Sequence, residues 1–356
     1  MHAAVTLPRW GGSGIATDQN PLDAQLVACG PCLAVDPVAV GESLVEVGAA
    51  PAAARGEYGE GPEAVDLVAA GRLLDWHRAG SEVARRFVDG RGGICMELGI
   101  GGRCAVVLAG GGGLGSAAAL ALSQEGAEVA VADISKERAD ASAEVIAHYG
   151  GRARGYACDT GSMDSVEALA ARVRADLGAP SILVNITGGP PAYGAMEVPL
   201  GVWSGQFERQ VLGVIHLTRL LLPDMRRNTW GRVITSTSSG VVAPIPNLVL
   251  SNALRLTLVG WSKSLASEVA RDGVTVNVVV PGRISTARVR ELDEDRARRE
   301  GRKVEEVQAA SCAAIPVGRY GMPSEFGSVI TFLASDAASY VTGGMVRVDG
   351  GMIASI

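Results

Sequence analysis

The stretch CAVVLAGGGGLGS, residues 104–116, places an apolar run directly before four consecutive glycines. The apolar run predicts a buried β-strand, and the alanine- and leucine-rich residues after the glycines predict a helix. Glycines at such a turn let the main chain approach a pyrophosphate closely, and the helix that follows offers free N–H groups to phosphate oxygens. The pattern indicates a strand–turn–helix unit that binds a dinucleotide. The alternative is a purely structural turn.

A carboxylate closes the next strand of this unit. Asp133 follows the predicted strand 128–132, at a position where an acidic side chain accepts hydrogen bonds from a ribose diol. A carboxylate there repels a 2′-phosphate, so it favours NAD(H), and NADP(H) stays open as the second choice. The alternative is that Asp133 caps the helix that begins near Lys136.

Strand and helix patterns alternate through the rest of the chain, and such alternation produces a parallel sheet covered on both faces. We therefore expect an α/β fold, a doubly wound parallel sheet of the Rossmann type, in a single domain with an irregular N-terminal extension. Ligands of such sheets bind at the carboxyl ends of the strands. The predicted strands are 104–109, 128–132, 152–157, 182–185, 232–236, 275–279 and 345–348. The predicted helices are 113–125, 136–149, 163–177, 203–227, 251–270 and 323–335.

Composition excludes several classes of protein. The chain has 356 residues and a net charge of −6, which argues against a nucleic-acid binder. Six cysteines without a disulfide framework fit a reduced, cytoplasmic protein, and the four histidines show no metal-ligand spacing, so we expect no metal site. The apolar stretch 105–122 is interrupted by glycines, which favours a buried strand and helix over a membrane span.

The composition changes near residue 95. Residues 1–95 contain Gly/Pro/Ala clusters, one plausible helix at 63–88, and a Cys29-Gly-Pro-Cys32 motif that we interpret as chance rather than a redox site. From Met96 the pattern is that of a domain start. We therefore expect two segments, a low-order extension at 1–95 and a Rossmann domain at 96–356, with Met96 as a candidate true start. The intact mass of the natively expressed protein tests this start site; a real docking extension is the alternative.

From Met96 to Ile356 the chain resembles the short-chain dehydrogenase/reductase family, with its C-terminal half similar to 3-oxoacyl reductases. Residues 108–115, LAGGGGLG, resemble the family's TGxxxGxG motif, with Leu108 and Ala109 in place of the first Thr-Gly. Cys158-Asp159-Thr160 matches the segment that contacts adenine, and residues 185–188, NITG, stand where NNAG is expected. Residues 277–286 match the N-x-V-x-P-G segment with its threonine, and the sequence from Ile315 follows the C-terminal signature.

The resemblance implies a nicotinamide-dependent oxidoreductase that acts on a small carbonyl or alcohol substrate and assembles as a homodimer or homotetramer. It implies no partnership with nucleic acid or membrane. The expected cofactor-binding residues are Gly110, Gly111, Gly113, Leu114, Gly115, Asp133, Asp159, Thr160, Asn185, Gly188, Pro281, Gly282, Ile284 and Thr286.

The catalytic positions depart from the family pattern of Asn, Ser, Tyr and Lys. By the resemblance these four positions hold Gln210, Ser238, Ser251 and Arg255. A serine hydroxyl is a far weaker acid than a tyrosine, whereas an arginine stays charged and stabilises negative charge on an oxygen. The site is therefore expected to polarise a substrate oxygen better than it protonates one, and Tyr193 is a candidate replacement acid.

Two other functions remain open from the sequence. One is a non-redox lyase, isomerase or cyclase in which Arg255 and the serines stabilise an oxyanion. The other is a non-catalytic subunit that partners an active relative. Cofactor titration separates these from the oxidoreductase. Residues 287–314 are expected to form a charged helical cover over the site, without a readable pocket.

Overall fold

The computed structural model describes residues 97–356, which form a parallel β-sheet with helices on both faces. The predicted extension at 1–95, its helix at 63–88, the Cys29/Cys32 motif and the start at Met96 lie outside the described residues. Seven strands pair in the order β3-β2-β1-β4-β5-β6-β7, all parallel. They are β1 (Cys104–Leu108), β2 (Glu128–Asp133), β3 (Arg152–Ala157), β4 (Pro180–Asn185), β5 (Gly231–Ser236), β6 (Val274–Pro281) and β7 (Met345–Val348).

The α-helices of the described region are α1 (Gly113–Gln124), α2 (Lys136–His148), α3 (Met163–Leu177), α4 (Leu200–Phe207), α5 (Gly213–Arg227), α6 (Val249–Val269), α7 (Ala287–Glu300), α8 (Val304–Ala313) and α9 (Pro323–Leu333). One face of the sheet packs against α1, α2 and α9 through side chains such as Leu122, Ile146 and Phe326. The opposite face packs against α3, α5 and α6, for example through Leu169 and Leu217. The predicted doubly wound α/β fold is confirmed.

The central strands are buried along their whole length and are mainly apolar. β1, β4, β5 and β6 have no exposed residue, because helices cover both sides of each of them. β1 and β4 are neighbours, although the chain visits β2 and β3 between them. The connections on either side of this pair run in opposite directions, which opens a crevice at the carboxyl ends of β1 and β4. The candidate site is expected in this crevice.

One helical prediction needs correction, and another gains detail. The single helix predicted at 203–227 is α4, a π-helical turn at Glu208–Leu212, and α5. The wide π turn directs Gln210 and Val211 into the interior. The predicted cover at 287–314 is two helices, since Gly301 ends α7 with a left-handed φ of 62° that favours glycine.

No helix within residues 97–356 combines the length and apolar character needed to cross a bilayer.

Candidate active site

The glycine-rich turn joins β1 to α1 through close main-chain packing. A side chain at Gly115 would place its Cβ 2.1 Å from the carbonyl oxygen of Ala109, so only glycine fits there. Ala109 itself has a φ of 49°, in the left-handed region that disfavours a side chain. No side chain caps the N-terminus of α1, whose N-cap is Gly112. The first N–H groups of α1 are therefore available to an anionic ligand.

The same helix end lies close to the segment after β6. A Cβ added to Gly113 would meet the side-chain methyl carbon of Thr286 at 2.7 Å. Thr286 is the N-cap of α7, and its hydroxyl accepts a hydrogen bond of 3.4 Å from the N–H of Val289. The glycine turn and the start of α7 therefore form two walls of one crevice.

Asp133 is buried at the end of β2 and fixes the glycine turn. Its Oδ2 accepts a 3.2 Å hydrogen bond from the N–H of Gly111, and its Oδ1 accepts one of 3.0 Å from the N–H of Ser135. Arg138 pairs with the same carboxylate at 2.7 Å and is largely exposed. The cap of α2 is Ser135, whose hydroxyl accepts from the N–H of Arg138, so the carboxylate of Asp133 is not the helix cap.

A cavity of about 210 Å³ lies beside Asp133. Asp159 and Thr160, from the segment expected to contact adenine, line it together with the exposed guanidinium groups of Arg138 and Arg209. Asp159 accepts a 2.9 Å hydrogen bond from the N–H of Gly161 and pairs with Arg209 at 3.3 Å. The cavity therefore combines two carboxylates with two arginines.

A second cavity of about 760 Å³ lies at the carboxyl ends of β4, β5 and β6. It shares the wall formed by Ala109 and residues 186–189 with the smaller cavity, so the two meet. Of the residues predicted to bind cofactor, Gly113, Leu114, Gly115, Asp133, Asp159, Thr160, Gly188, Pro281, Gly282, Ile284 and Thr286 line one or both cavities. Gly110, Gly111 and Asn185 do not.

Asn185 has a structural position instead. It is fully buried, and its Nδ2 lies 3.4 Å from the hydroxyls of both Thr218 and Thr235. These contacts tie β4 to α5 and β5, behind the cavity wall. Gly110 and Gly111 allow the turn to pack closely, since a Cβ at Gly110 would collide with Val131 and one at Gly111 with Arg138.

The structure brings three of the four predicted catalytic residues together. Ser238, Ser251 and Arg255 all line the larger cavity, whereas Gln210 does not. Gln210 is buried in the π turn, where its Nε2 donates a 2.8 Å hydrogen bond to Gln206 and its Oε1 has no partner. Tyr193 lines neither cavity and packs beside α6. The candidate replacement acid is thus not placed at the site.

The two serines differ in their contacts. The hydroxyl of Ser238 accepts a 3.1 Å hydrogen bond from the N–H of Gly240 and so caps a short 3₁₀ turn at Ser239–Val241. Ser251, in the first turn of α6, is 8% exposed and lines the cavity wall. Each hydroxyl retains a proton to donate to a ligand oxygen.

Arg255 is the most deeply buried cation of the site, with 6% of the residue exposed. Its guanidinium donates to the carbonyl oxygens of Ser236 (3.0 Å), Thr187 (3.0 Å) and Gly188 (3.3 Å). Burial, and secondly the nearby charge of Arg288, lowers the pKa of Arg255 to about 10. Arg255 therefore stays positively charged at neutral pH.

Arg288 is a cavity residue that the sequence analysis missed. Its Nη2 donates a 2.8 Å hydrogen bond to the carbonyl oxygen of Pro190, which links α7 to the segment after β4. Its Nη1 lies 3.3 Å from Glu291. The sequence offered only its place in a charged helical segment. From α7, the first turn and Leu292 line the cavity, so part of the predicted cover does reach the site.

Comparisons with known proteins identify relatives across the described region. A sequence profile described as enoyl-(acyl carrier protein) reductase matches residues 108–353. The 3-oxoacyl-(acyl-carrier-protein) reductase of Salmonella typhimurium is 35% identical over 254 residues, which cover 70% of this chain and 97% of that protein.

Two solved structures show the same fold. L-sorbose reductase from Gluconobacter frateurii, complexed with NADPH and L-sorbose, superposes with a TM-score of 0.70 at 29% identity, covering 73% of this chain and all of that one. A 7α-hydroxysteroid dehydrogenase complexed with NADH and a 7-oxo bile acid superposes with a TM-score of 0.66 at 27% identity, covering 72% and 96%.

Proposed function

The chain belongs to the short-chain dehydrogenase/reductase family and is an NAD(P)-dependent oxidoreductase of carbonyl or alcohol compounds, and from this premise we propose that it reduces a ketone with an altered catalytic set. In this set Ser251 and Arg255 replace the family's tyrosine and lysine, beside the retained Ser238. The observation that carries the proposal is that all three side chains line the larger cavity.

The residues present fit a nicotinamide dinucleotide. The two meeting cavities extend from Asp133 to Ser251, and the glycine turn with its uncapped helix end lies between these points. The hydroxyl oxygen of Thr187, in the shared wall, is buried without a partner, as expected of a group that awaits a ligand. Asp133 would hold the ribose of the adenosine half, and the start of α1 would hold the pyrophosphate.

When bound, the nicotinamide supplies the hydride. The chain's own task is then to stabilise the negative charge that develops on the substrate oxygen. Ser238 and Ser251 each donate a hydrogen bond to that oxygen, and the charge of Arg255 stabilises it from the buried side of the cavity. All three groups are held in place before the reaction, because α6 and the end of β5 position them.

The proton comes from water in this proposal. No Asp, Glu, His, Cys, Tyr or Lys lines the larger cavity among residues 97–356, so no titrating group other than arginine stands at the reaction centre. Loss of a positioned proton donor typically lowers a rate by about 10²–10⁴-fold. We therefore expect slow turnover compared with relatives that retain the tyrosine.

The cofactor preference is proposed as NAD(H). Asp133 is buried and negatively charged at the site of the adenosine ribose, which disfavours a 2′-phosphate. Arg138 moderates this preference, because it pairs with Asp133 and remains 57% exposed in its side chain. Binding of NADP(H) through Arg138 is the second choice.

A homo-oligomer is part of the same proposal. Large apolar side chains are exposed on α4, α6 and the π turn, including Leu200, Phe207, Leu212 and Leu256. Covering such a surface by a second copy would remove it from water. Light scattering coupled to size exclusion tests this; a monomeric mass at micromolar concentration contradicts it.

Titration with NADH and NADPH, followed by fluorescence, is the first test of function. We expect saturable binding and slow, ketone-dependent oxidation of the reduced dinucleotide. Ser251→Ala should lower kcat by about tenfold or more while dinucleotide binding stays intact, since one oxyanion donor is removed. Ser264→Ala, on the exposed side of α6, is the matched control. An absence of dinucleotide binding would overturn the proposal.

A further inference from the structure

The larger cavity carries an unbalanced positive charge. Three arginines line it, and no Asp or Glu is among its lining residues in the described part of the chain. Arg283 is balanced within the protein, because it pairs with the fully buried Asp293, which Tyr320 also contacts. Arg255 and Arg288 therefore have no carboxylate partner inside the cavity, since Glu291, which pairs with Arg288, is exposed and does not line it.

Arg255 has only neutral partners. Its three hydrogen bonds go to main-chain carbonyl oxygens, and it forms no ion pair with a carboxylate of residues 97–356. A buried cation without an anion is costly, and proteins normally retain one where a ligand or a reaction intermediate uses it. In the proposed reaction the oxyanion is transient, so it would balance the charge of Arg255 for only part of the catalytic cycle.

Arg288 has a guanidinium that a ligand can reach. Its side chain is 38% exposed and lines the cavity, and its ion partner Glu291 is a solvent-exposed residue of the same helix at 3.3 Å. Surface pairs of this kind contribute little and exchange readily. The hydrogen bond to the carbonyl oxygen of Pro190 anchors one end of the fork and leaves donors on the other nitrogens.

We propose that the substrate is a carboxylate-bearing carbonyl compound, and that Arg288 binds its carboxylate while Arg255 lies in the same cavity beside the reacting oxygen. An arginine fork matches the two oxygens of a carboxylate. The rest of the cavity wall suits an apolar body, through Ile245, Leu248, Leu292 and Ile353. The substrate class is thus an oxo acid with an aliphatic or aromatic chain. The carbonyl part of this assignment rests on the proposed function; the carboxylate part rests on the charge of the cavity.

The test compares matched acids and amides on the full chain. The probes are 2-oxohexanoate and 5-oxohexanoate, which differ in the distance from carbonyl to carboxylate, and the corresponding amides. Binding to the protein saturated with NADH is measured by calorimetry. We expect at least one acid to bind about tenfold or more tightly than its amide, the range of a charge-assisted hydrogen bond. The preference should weaken as salt is raised.

Variants of Arg288 locate the effect. Arg288→Gln should raise the Kd of the preferred acid about tenfold and change that of its amide by less than about twofold. Arg288→Lys should recover part of the preference, because it keeps the charge and loses the fork. Arg290→Gln, an exposed position on the same helix, is the control for net charge and should leave both Kd values unchanged.

Two results would overturn the inference. If neither acid binds better than its amide, the cavity does not recognise a carboxylate. A loss of NADH affinity in Arg288→Gln as large as the loss of acid affinity would assign the charge to the dinucleotide instead. Failure of the proposed function is separate, since it is an absence of NADH binding or of hydride transfer to any ketone, acid or neutral, in the unaltered chain.

Discussion

Ser251 and Arg255 lie one helical turn apart on α6, and both line the larger cavity at the carboxyl ends of β4, β5 and β6. The spacing aims a hydroxyl and a buried cation at the same space. The hydroxyl of Ser251 is a weak acid. The pKa of Arg255, lowered to about 10, still leaves its guanidinium protonated at neutral pH. The pair is suited to stabilise charge on an oxygen and poorly suited to deliver a proton at neutral pH.

Restoring the family pair should therefore restore a proton donor. We expect the double variant Ser251→Tyr with Arg255→Lys to raise kcat for a neutral ketone about 10²-fold at pH 7, since the tyrosine hydroxyl supplies the missing acid and the lysine lowers its pKa. The cavity of about 760 Å³ has room for the ring. Stopped-flow oxidation of NADH measures the rate.

The control for the added ring is Ser251→Phe with Arg255→Lys. It fills the same space without a hydroxyl, so its kcat should not rise. If both double variants gain equally, the change lies in packing rather than in proton transfer. If neither gains, proton delivery does not limit the reaction in the unaltered protein.

The charge of Arg255 gives a pH prediction with a definite sign. Burial and Arg288 lower the pKa of Arg255 to about 10, so the unaltered protein should keep its activity until the pH approaches that value. A lysine starts from a lower pKa than an arginine, about 10.4, and the same burial and neighbouring charge would lower it further. Activity that needs the cation should then fall at a lower pH in Arg255→Lys than in the unaltered protein.

The measurement is kcat as a function of pH for the unaltered protein and for Arg255→Lys. Arg290→Lys is the matched control and should leave the profile unchanged, because this residue is exposed and outside the cavity. Superimposable alkaline limbs in all three proteins would show that the charge at position 255 does not act on the rate-limiting step.

The fold was predictable because local and global signals agree. Each central strand is buried on both faces and mainly apolar, since helices cover both faces, and the glycine turn lies where β1 passes into α1. The helix-cap alternative for Asp133 was also answered locally, because Ser135 caps α2 and the Asp133 carboxylate accepts from the glycine turn. The ribose contact of Asp133 stays a prediction. Patterns that depend on neighbours along the chain were therefore reliable.

The positions that the sequence did not reveal depend on contacts between distant segments. The π turn that buries Gln210 has no sequence signature, and a Cβ at Gly213 would meet the carbonyl oxygen of Thr160 at 2.1 Å, a contact invisible in the sequence. Asn185 follows the family motif but serves packing through Thr218 and Thr235. Arg288 became a cavity residue only through the approach of α7 to the segment after β4.

Cofactor preference should respond to two residues in different ways. Asp133→Ala removes the ribose acceptor and the partner of the Gly111 N–H, so the Kd for NADH should rise about tenfold or more. The same change frees Arg138, so NADPH should lose less affinity than NADH. Fluorescence titration with each reduced dinucleotide measures both values.

Arg138→Gln is the complementary variant. It should leave the Kd for NADH within about twofold and weaken NADPH more, because its exposed guanidinium would contact only the 2′-phosphate. Equal losses for both dinucleotides in Asp133→Ala would mean that the carboxylate acts only by holding the turn.

The backbone of the glycine turn gives a stability prediction. Ala109 has a φ of 49°, where a side chain costs about 1–2 kcal/mol and glycine adopts the conformation freely. Ala109→Gly removes this strain but adds flexibility to the unfolded chain, at a cost of about 0.4–1 kcal/mol. The free energy of unfolding in urea should therefore rise by about 0.8 kcal/mol, the middle of a range of about 0–1.6 kcal/mol. Ala105→Gly, in the fully buried β1, has no such strain to release and should lower it. A decrease in both variants would show that the contacts of the Ala109 methyl group outweigh its backbone strain.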